Sequence, residues 1–335
     1  MRIGPHRTEQ RVMIVAEAGN NHEGSFARAE EMISRAAEAG VDAIKFQTIV
    51  PEKLVAASES QRLAQLARFR FDYGQFAALA KAAERAGIIF LSTPFDRDSI
   101  AALEPLVPAY KVASGDNDCL PLLEYVARTG KPILLSTGML DLQGVARAKA
   151  AIETVWRERG IAPGLVLLHC IVAYPTPLSE ANLGAIRALT DFGCEVGYSD
   201  HTVGIEAAVL SVALGARVIE KHFTLDKNLS DLRDHKLSAD PGEFAVLVRR
   251  VRAAEEMLGT GIKRVMPVEE PALRAARRSI MAARDLPSGT VIEAADLTWL
   301  RPRTGFAPGH EAELVGRKLT TAVRRGEPIL PEQLG

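Results

Sequence analysis

Eight short apolar runs in this chain each end in residues that can do chemistry, and helical stretches closed by glycine separate most of them. The ends are Glu17, Lys45-Phe46-Gln47, Ser92-Thr93-Pro94, Lys111 with Ser114, Ser136-Thr137-Gly138, His169, Ser199-Asp200-His201 and Glu220-Lys221-His222. A strand that is polar only at its carboxyl end is what a (β/α)8 barrel needs. There the active site sits on the carboxyl face, and each strand donates a residue to it.

The local punctuation agrees. Val12–Ala16 is too short for a helix and is bounded by Glu17, Gly19 and Asn20, so it reads as the first strand. Ser25 suits the N-cap of the next helix, whose Phe26, Ala29, Ile33 and Ala37 share a face, and Gly40 closes it. Ala43–Gln47 is the second strand. Helix, glycine, strand recurs where Gly87 precedes Ile88–Leu91, Gly130 precedes Pro132–Leu135 and Gly215 precedes Val218–Glu220. Ala109–Ala113, Val166–His169 and Val196–Ser199 complete the eight. One connection breaks the rhythm: 48–72 is long and holds Arg62, Arg68 and Arg70. It is either a loop that shapes substrate access or a helical excursion with a solvated basic face, and the sequence leaves both open.

From Gly259 the composition shifts to Gly259, Gly261, Pro267, Glu269-Glu270 and Pro271, a linker composition. Beyond it, Gly289, Ile292 and Leu297 share their offsets with Gly326, Ile329 and Leu334. The expected organisation is a barrel over 1–260, a linker over 261–276 and a small β-rich domain with internal pseudo-symmetry over 277–335.

A length of 335 residues suits a barrel with a modest appendage. A formal charge of −1 gives no basic excess for nucleic acid or membrane surfaces. No apolar run reaches transmembrane length, and MRIGPHRTEQ lacks the apolar centre of a secretory signal. Cys119, Cys170 and Cys194 lack paired spacing and read as buried small residues in a reducing compartment, with the cytoplasm as the default.

Strand side chains alternate faces, so Lys45 and Gln47 point one way and Ile44 and Phe46 the other. If the apolar pair meets the helices, Lys45 faces the barrel mouth, and the same argument places Lys111 inside. A buried lysine needs a negative partner. With hydroxyls at Thr93, Ser114 and Ser136, that partner is a bound phosphate or carboxylate, or else Glu17 or Glu220 in a structural ion pair. His201 and His222 end consecutive strands, which lie about 4.8 Å apart in a sheet. Two imidazoles there can share a divalent metal, with a carboxylate from Glu17 or Asp234, or can be hydrogen-bonded core residues. His169, beside Cys170, fits the core reading better.

The motifs AEAGNNHEG (16–24), KFQT (45–48), STPFD (92–96), YKVASGD (110–116), LSTGM (135–139), LHC…YPTP (168–177), GYSDHT (197–202) and EKHFTLDKN (220–228) resemble the sialic acid synthase family. That family includes N-acetylneuraminate, legionaminate and pseudaminate synthases and spore-coat polysaccharide proteins. The resemblance covers nearly the whole chain, and the tail is similar to the family's antifreeze-like (SAF) domain. It implies a (β/α)8 TIM barrel followed by a small β-rich SAF domain. The implied reaction condenses phosphoenolpyruvate with an open-chain N-acetylated amino-sugar aldehyde, giving a nonulosonic acid and phosphate. The implied cofactor is a divalent metal, Mn²⁺ foremost and Mg²⁺ or Co²⁺ as alternatives, on His201 and His222. Phosphoenolpyruvate anchors match Lys45, Thr93, Lys111, Ser114, Ser136 and Ser199, and sugar contacts match Gln47, Tyr174 and Asp234. Glu17 matches the carboxylate beside the metal, and the expected handler of a water proton is Glu17, with Asp116 second. The resemblance also implies a domain-swapped homodimer in which Arg301 reaches the partner's sugar site.

Four departures bear on the acceptor. Asp116 stands where N-acetylneuraminate synthases usually have Glu, and Val172 where they have Asn, which favours a less polar sugar such as a deoxy or diacetamido one. Arg233 precedes Asp234 where that subgroup has proline, and Arg303 replaces a small residue. Three rivals remain open: a phosphoenolpyruvate-dependent synthase using a phosphorylated sugar, a Schiff-base aldolase acting through Lys45 or Lys111, and a carbohydrate- or ice-binding protein using the barrel as scaffold.

Overall fold

The computed structural model describes residues 1–335. A short hairpin, β1 (Arg2–Ile3) with β2 (His6–Arg7), precedes eight parallel strands: β3 (Met13–Gly19), β4 (Ala43–Thr48), β5 (Ile89–Pro94), β6 (Tyr110–Val112), β7 (Ile133–Ser136), β8 (Leu165–Cys170), β9 (Glu195–Asp200) and β10 (Val218–His222). Their ladder order is β5-β4-β3-β10-β9-β8-β7-β6. The last strand pairs with the first, so the sheet curls into a TIM-like barrel, with no ladder between β5 and β6. All eight expected strands are present, and several run further than expected, β10 reaching His222 and β3 reaching Gly19.

The alternation expected for Lys45 holds around the ring. Ile14, Ala16, Ile44, Phe46 and Ile219 pack outward under the helices, whereas Met13, Val15, Ala43, Leu134, Val166 and Val218 fill the barrel interior. Ile3 of the hairpin joins that inner cluster against the first residues of the strands, so it caps the amino-terminal end. Each inner column is therefore apolar at the bottom and polar at the top: Met13, Val15, Glu17 in β3 and Val218, Glu220, His222 in β10.

The helices are set by their caps. Ser25 accepts from Arg28 N at the start of the Phe26–Glu38 helix, as its sequence suggests, and Gly40 closes the turn at φ +84°. The buried stripe of that helix is Ala29, Met32, Ile33 and Ala36, so Phe26 and Ala37 lie at its margins. Asp72 with Gln75, and Asp240 with Glu243, form reciprocal capping boxes on later helices.

The 48–72 connection is a helical excursion, with helices Pro51–Leu54 and Ser60–Ala67. Its return is pinned to the loop after β3. The His22 ring stacks on Phe71 at 4.4 Å, and a Cβ on Gly24 (φ +79°) would lie 2.1 Å from the Arg68 carbonyl oxygen. Only glycine permits both that backbone angle and that approach.

The cysteine expectation needs correcting. Cys170 is buried, but Cys119 is exposed and Cys194 is half-buried, because both lie outside the strand interiors, beside turns. No helix is long and apolar enough to cross a membrane.

The chain divides into two compact units, Met1–Gly259 and Thr260–Gly335. In the second, the stretch expected as a linker carries a 3-10 turn (Pro267–Glu269) and a helix (Glu270–Ala276). Strands β11 (Ser279–Ala282) and β12 (Leu297–Leu300) then pair antiparallel over a core of Ile280, Leu286, Ile292, Leu314, Leu319, Val323 and Ile329. The sequence echo is structural. Gly289 and Gly326 take φ +87° and +80°, Ile292 and Ile329 are buried, and a 3-10 turn precedes both Leu297 and Leu334.

Candidate active site

The polar tops of the strands converge on one pocket. It gathers Glu17, Lys45, Gln47, Thr93, Lys111, Ser114, Ser136, Tyr174, Ser199, His201 and His222, with Cys170 and Glu220 beside them. Three expected site residues lie elsewhere. Asp234 lines a neighbouring cavity, Asp116 lines neither, and Arg301 belongs to the second unit, just after β12.

Both lysines do have carboxylate partners. Lys45 Nζ lies 2.7 Å from Glu17 Oε2 and 3.7 Å from Glu220 Oε2, and Lys111 Nζ is 3.7 Å from Glu220 Oε1. All four side chains are nearly inaccessible to water. The pairing is incomplete. The Glu17 contact is a charge contact rather than an aligned hydrogen bond, for Glu17 Oε2 has no hydrogen-bond partner, nor do Glu220 Oε2, Ser114 Oγ and Ser136 Oγ. Buried donors normally find acceptors, so two unpartnered serine hydroxyls beside two ammonium groups make an anion receptor. Thr93 Oγ1 accepts from Lys45 at 3.0 Å, and Ser199 Oγ donates to Glu220 Oε1 at 3.0 Å, which aims both groups into the pocket.

The carboxylates are pushed apart. Burial raises the pKa of Glu17 above the ordinary carboxylate value, although Lys45 opposes it and Glu220 adds to it. Burial acts the same way on Glu220, but Lys111, Lys45 and the Ser199 hydroxyl outweigh it and hold its carboxyl low. The two shifts run in opposite directions, so Glu17 is the more readily protonated of the two carboxylates. Gln47 Nε2 donates to Glu17 Oε1 at 3.1 Å and is itself approached by Asn20. Asp116 is pushed up to about 6 by burial and by Asp118, against Lys111.

The His201 and His222 rings lie 5.3 Å apart. The Ile171 carbonyl takes His201 Nδ1 at 2.7 Å, which leaves Nε2 as the free nitrogen, and His222 Nδ1 is buried without a partner. Burial, and Lys45 nearby, lower the His222 pKa and favour the neutral imidazole, the form that binds metals. No third His, Cys, Asp or Glu joins them in a group able to hold a metal ion. A divalent ion there would have two imidazole ligands from this chain and take the rest from water or substrate. The Tyr174 ring packs 4.2 Å from His201, following the Tyr174-Pro175 cis bond. His169 bonds the Ala181 carbonyl and stacks on Tyr198, a core histidine.

Glycine makes room for this site at Gly138. A Cβ there would lie 2.7 Å from Ser114 Oγ and from Val172 Cγ2, and 3.1 Å from the Cys170 carbonyl oxygen. Asn117 Nδ2 holds the same turn through the Ser136 and Gly138 carbonyls. Gly138→Ala is expected to displace Ser114 and raise the KM for the anionic substrate about tenfold or more, with the melting temperature changed little by comparison. Steady-state kinetics beside thermal unfolding would check it.

A cavity of about 640 Å³ opens on the Asn20 side of the pocket, within the range of small-molecule sites. Arg62, Gln65, Arg68 and Phe69 form one wall, and Ser230 to Asp234 the other. Arg62 and Arg68 are in no ion pair. Glu23 is paired with Arg28 at 2.8 Å, and Arg233 lies 4.8 Å over the Tyr174 ring and 3.6 Å from Asp234. The sequence reading weighed Glu220 only as an ion-pair partner and missed its place between both lysines. The signal was available, since Glu220 shares a face with His222 two residues on.

Comparison with known proteins follows the same lines. Residues 32–263 match the NeuB family and residues 277–335 the SAF domain. An uncharacterised protein of Methanocaldococcus jannaschii is 43% identical over 91% of this chain and 89% of its own length. The N,N'-diacetyllegionaminic acid synthase of Legionella pneumophila is 39% identical over 99% of this chain and 97% of its own. The solved structure of the N-acetylneuraminic acid synthetase of Leptospira borgpetersenii, in complex with citrate, superposes with a TM-score of 0.74 at 34% identity, covering 78% of this chain and 90% of that one. An inward polar ring on a barrel of this topology, a matched family over most of the barrel and a matched tail lead to one conclusion: the chain belongs to the NeuB family of enzymes, with an SAF domain at its C-terminal end.

Proposed function

We propose that this protein condenses phosphoenolpyruvate with an N-acetylated amino-sugar aldehyde, releasing phosphate and a nonulosonic acid. The observation that carries the reading is the anion receptor of Lys45, Lys111, Ser114 and Ser136 set against two imidazoles 5.3 Å apart. Phosphoenolpyruvate brings a phosphate and a carboxylate to the ammonium groups and the free hydroxyls. C3 of its enol forms the new bond to the aldehyde carbon, water adds at C2, and phosphate leaves with cleavage of its bond to C2. Glu17, held by Gln47 and with its pKa raised by burial, takes the proton of that water; Asp116 is the second candidate. A divalent ion on His201 and His222, Mn²⁺ foremost, supplies Lewis-acid polarisation of the aldehyde oxygen when bound.

For the acceptor, Val172 flanks Gly138 beside Ser114, and the similarity to a diacetyllegionaminic acid synthase supports a deoxy, diacetamido sugar. The test is phosphate release from phosphoenolpyruvate with Mn²⁺, scanned over N-acetylmannosamine and its 6-deoxy and 2,4-diacetamido analogues, with product masses read alongside. Release that requires both metal and one sugar is the expected result. Silence with no phosphoenolpyruvate binding would sink the reading.

One observation favours a second reading, a phosphorylated acceptor: Arg62 and Arg68 line the outer cavity and neither is in an ion pair. On that reading N-acetylmannosamine 6-phosphate outperforms its parent sugar about tenfold in kcat/KM, and Arg62→Ala with Arg68→Ala removes the preference. Equal turnover of the two sugars would discard it.

We also propose a homodimer whose SAF domain serves the partner's barrel. Its support is the family resemblance and the exposed apolar side chains Met139, Leu178 and Val203 on the loops after β7, β8 and β9. Mixing Arg301→Ala with His222→Ala is expected to recover activity in mixed dimers. No recovery after verified subunit exchange would count against it.

A further inference from the structure

Behind the two histidines, on the outer face of the sheet, lies an ion pair that the reaction does not use. Lys221 Nζ donates to Asp200 Oδ2 at 2.7 Å, and both side chains are almost wholly buried, at 1% and 0% exposure. The two residues are direct partners across the β9–β10 ladder, and each stands one place before a histidine. Alternation turns them outward, beside Tyr198 and Ile219, while His222 turns inward.

The pair does more than neutralise itself. Lys221 Nζ also donates to the Thr202 carbonyl at 2.9 Å, and Asp200 Oδ1 accepts from the Thr202 N–H at 2.8 Å and from Tyr198 OH at 3.2 Å. Both backbone groups of Thr202 are thus bound by the pair, and His201 lies between Asp200 and Thr202, just past the end of β9 where no ladder fixes it. From the front, the imidazole is held through Nδ1 on Ile171, the nearby Cys170 thiol and the Tyr174 ring, and the His201 carbonyl accepts from the Thr176 N–H at 2.9 Å. The clamp is the part of this anchoring that comes from β10, so it ties the His201 backbone to the strand that carries His222.

Burying two charges costs several kcal/mol per ion, and an apolar pair of similar volume is often no less stable. Stability alone does not call for this pair. We propose that Lys221 and Asp200 are positioning residues for the two-histidine site, holding His201 at the spacing from His222 that a divalent cation requires. The proposal rests on the reading that those histidines bind a metal.

The test measures Mn²⁺ binding to the full chain without substrates, by electron paramagnetic resonance of free Mn²⁺, beside thermal unfolding. The variants are Lys221→Met, the double Lys221→Met with Asp200→Leu, and His222→Ala. Lys221→Met strands a buried carboxylate and should unfold at lower temperature. The double variant should regain thermal stability yet bind Mn²⁺ about 10–100-fold more weakly, the usual effect of losing a partner that orients a ligand. A double variant that is stable and binds Mn²⁺ as tightly as the unaltered protein would overturn the proposal. If the double variant does not fold, Asp200→Asn, which keeps the shape, is expected to show about a tenfold loss, and an unchanged affinity there would overturn it equally. Failure of the metal reading looks different: the unaltered protein would bind no better than His222→Ala, and the proposal would fall with it.

Discussion

His222→Ala is expected to lower phosphate release from phosphoenolpyruvate by about 10³-fold or more, with the fold intact. On the proposed reading its ring is one of two imidazole ligands, and no third His, Cys, Asp or Glu joins them in a metal-binding group. Prolonged dialysis against a chelator should silence the unaltered protein to a similar degree, and Mn²⁺ should restore it but not the variant. Phosphate release and circular dichroism on the same samples check this. Turnover by the variant above a tenth of the starting rate would return both histidines to the role of core residues.

Glu17→Gln carries the second large expectation: kcat falls about 10²–10⁴-fold while the KM for phosphoenolpyruvate moves only a few-fold. Glutamine keeps the contact to Gln47 and the space, and removes the titrating proton together with the charge that faces Lys45. The pH profile follows from the direction of the shift. Burial raises the Glu17 pKa, so the ionised base is lost at a higher pH than for a free carboxylate as the solution is acidified. The unaltered enzyme should lose kcat on the acid side at a pH above about 4.3, and the variant's residual rate should lack that limb. An identical acid limb in the variant would move the role to another group. Asp116, held near 6, is the first to examine.

Much of the site was legible because strand alternation is a local rule. Once Ile44 and Phe46 were read as helix-facing, Lys45 and Gln47 had to face inward, and they do. The same rule would have placed Glu220 with His222. It carried no weight while Glu220 looked like one of two interchangeable counter-ions, and only the barrel's closure brings it within reach of both lysines. Asp116 was harder to place for a different reason. It lies past β6 in a turn, where no periodicity fixes direction, and that turn carries it away from the pocket lining. The 48–72 connection likewise resisted reading, because its return is decided by a distant glycine: Gly24 admits the Arg68 carbonyl and so brings Arg62 and Arg68 to the wall of the outer cavity.

The sequence by itself determined the eight strands, their glycine-closed helices and the inward column of each strand, since two-residue alternation and capping act within a few residues along the chain. The tertiary structure alone decided which charges meet. Pairing β10 with β3 sets Glu220 between Lys45 and Lys111, and pairing it with β9 sets Lys221 on Asp200. Ring closure brings Glu220 to lysines 175 and 109 positions away, strand register sets Lys221 on a residue 21 away, and no local pattern encodes the distance at which such groups come to rest.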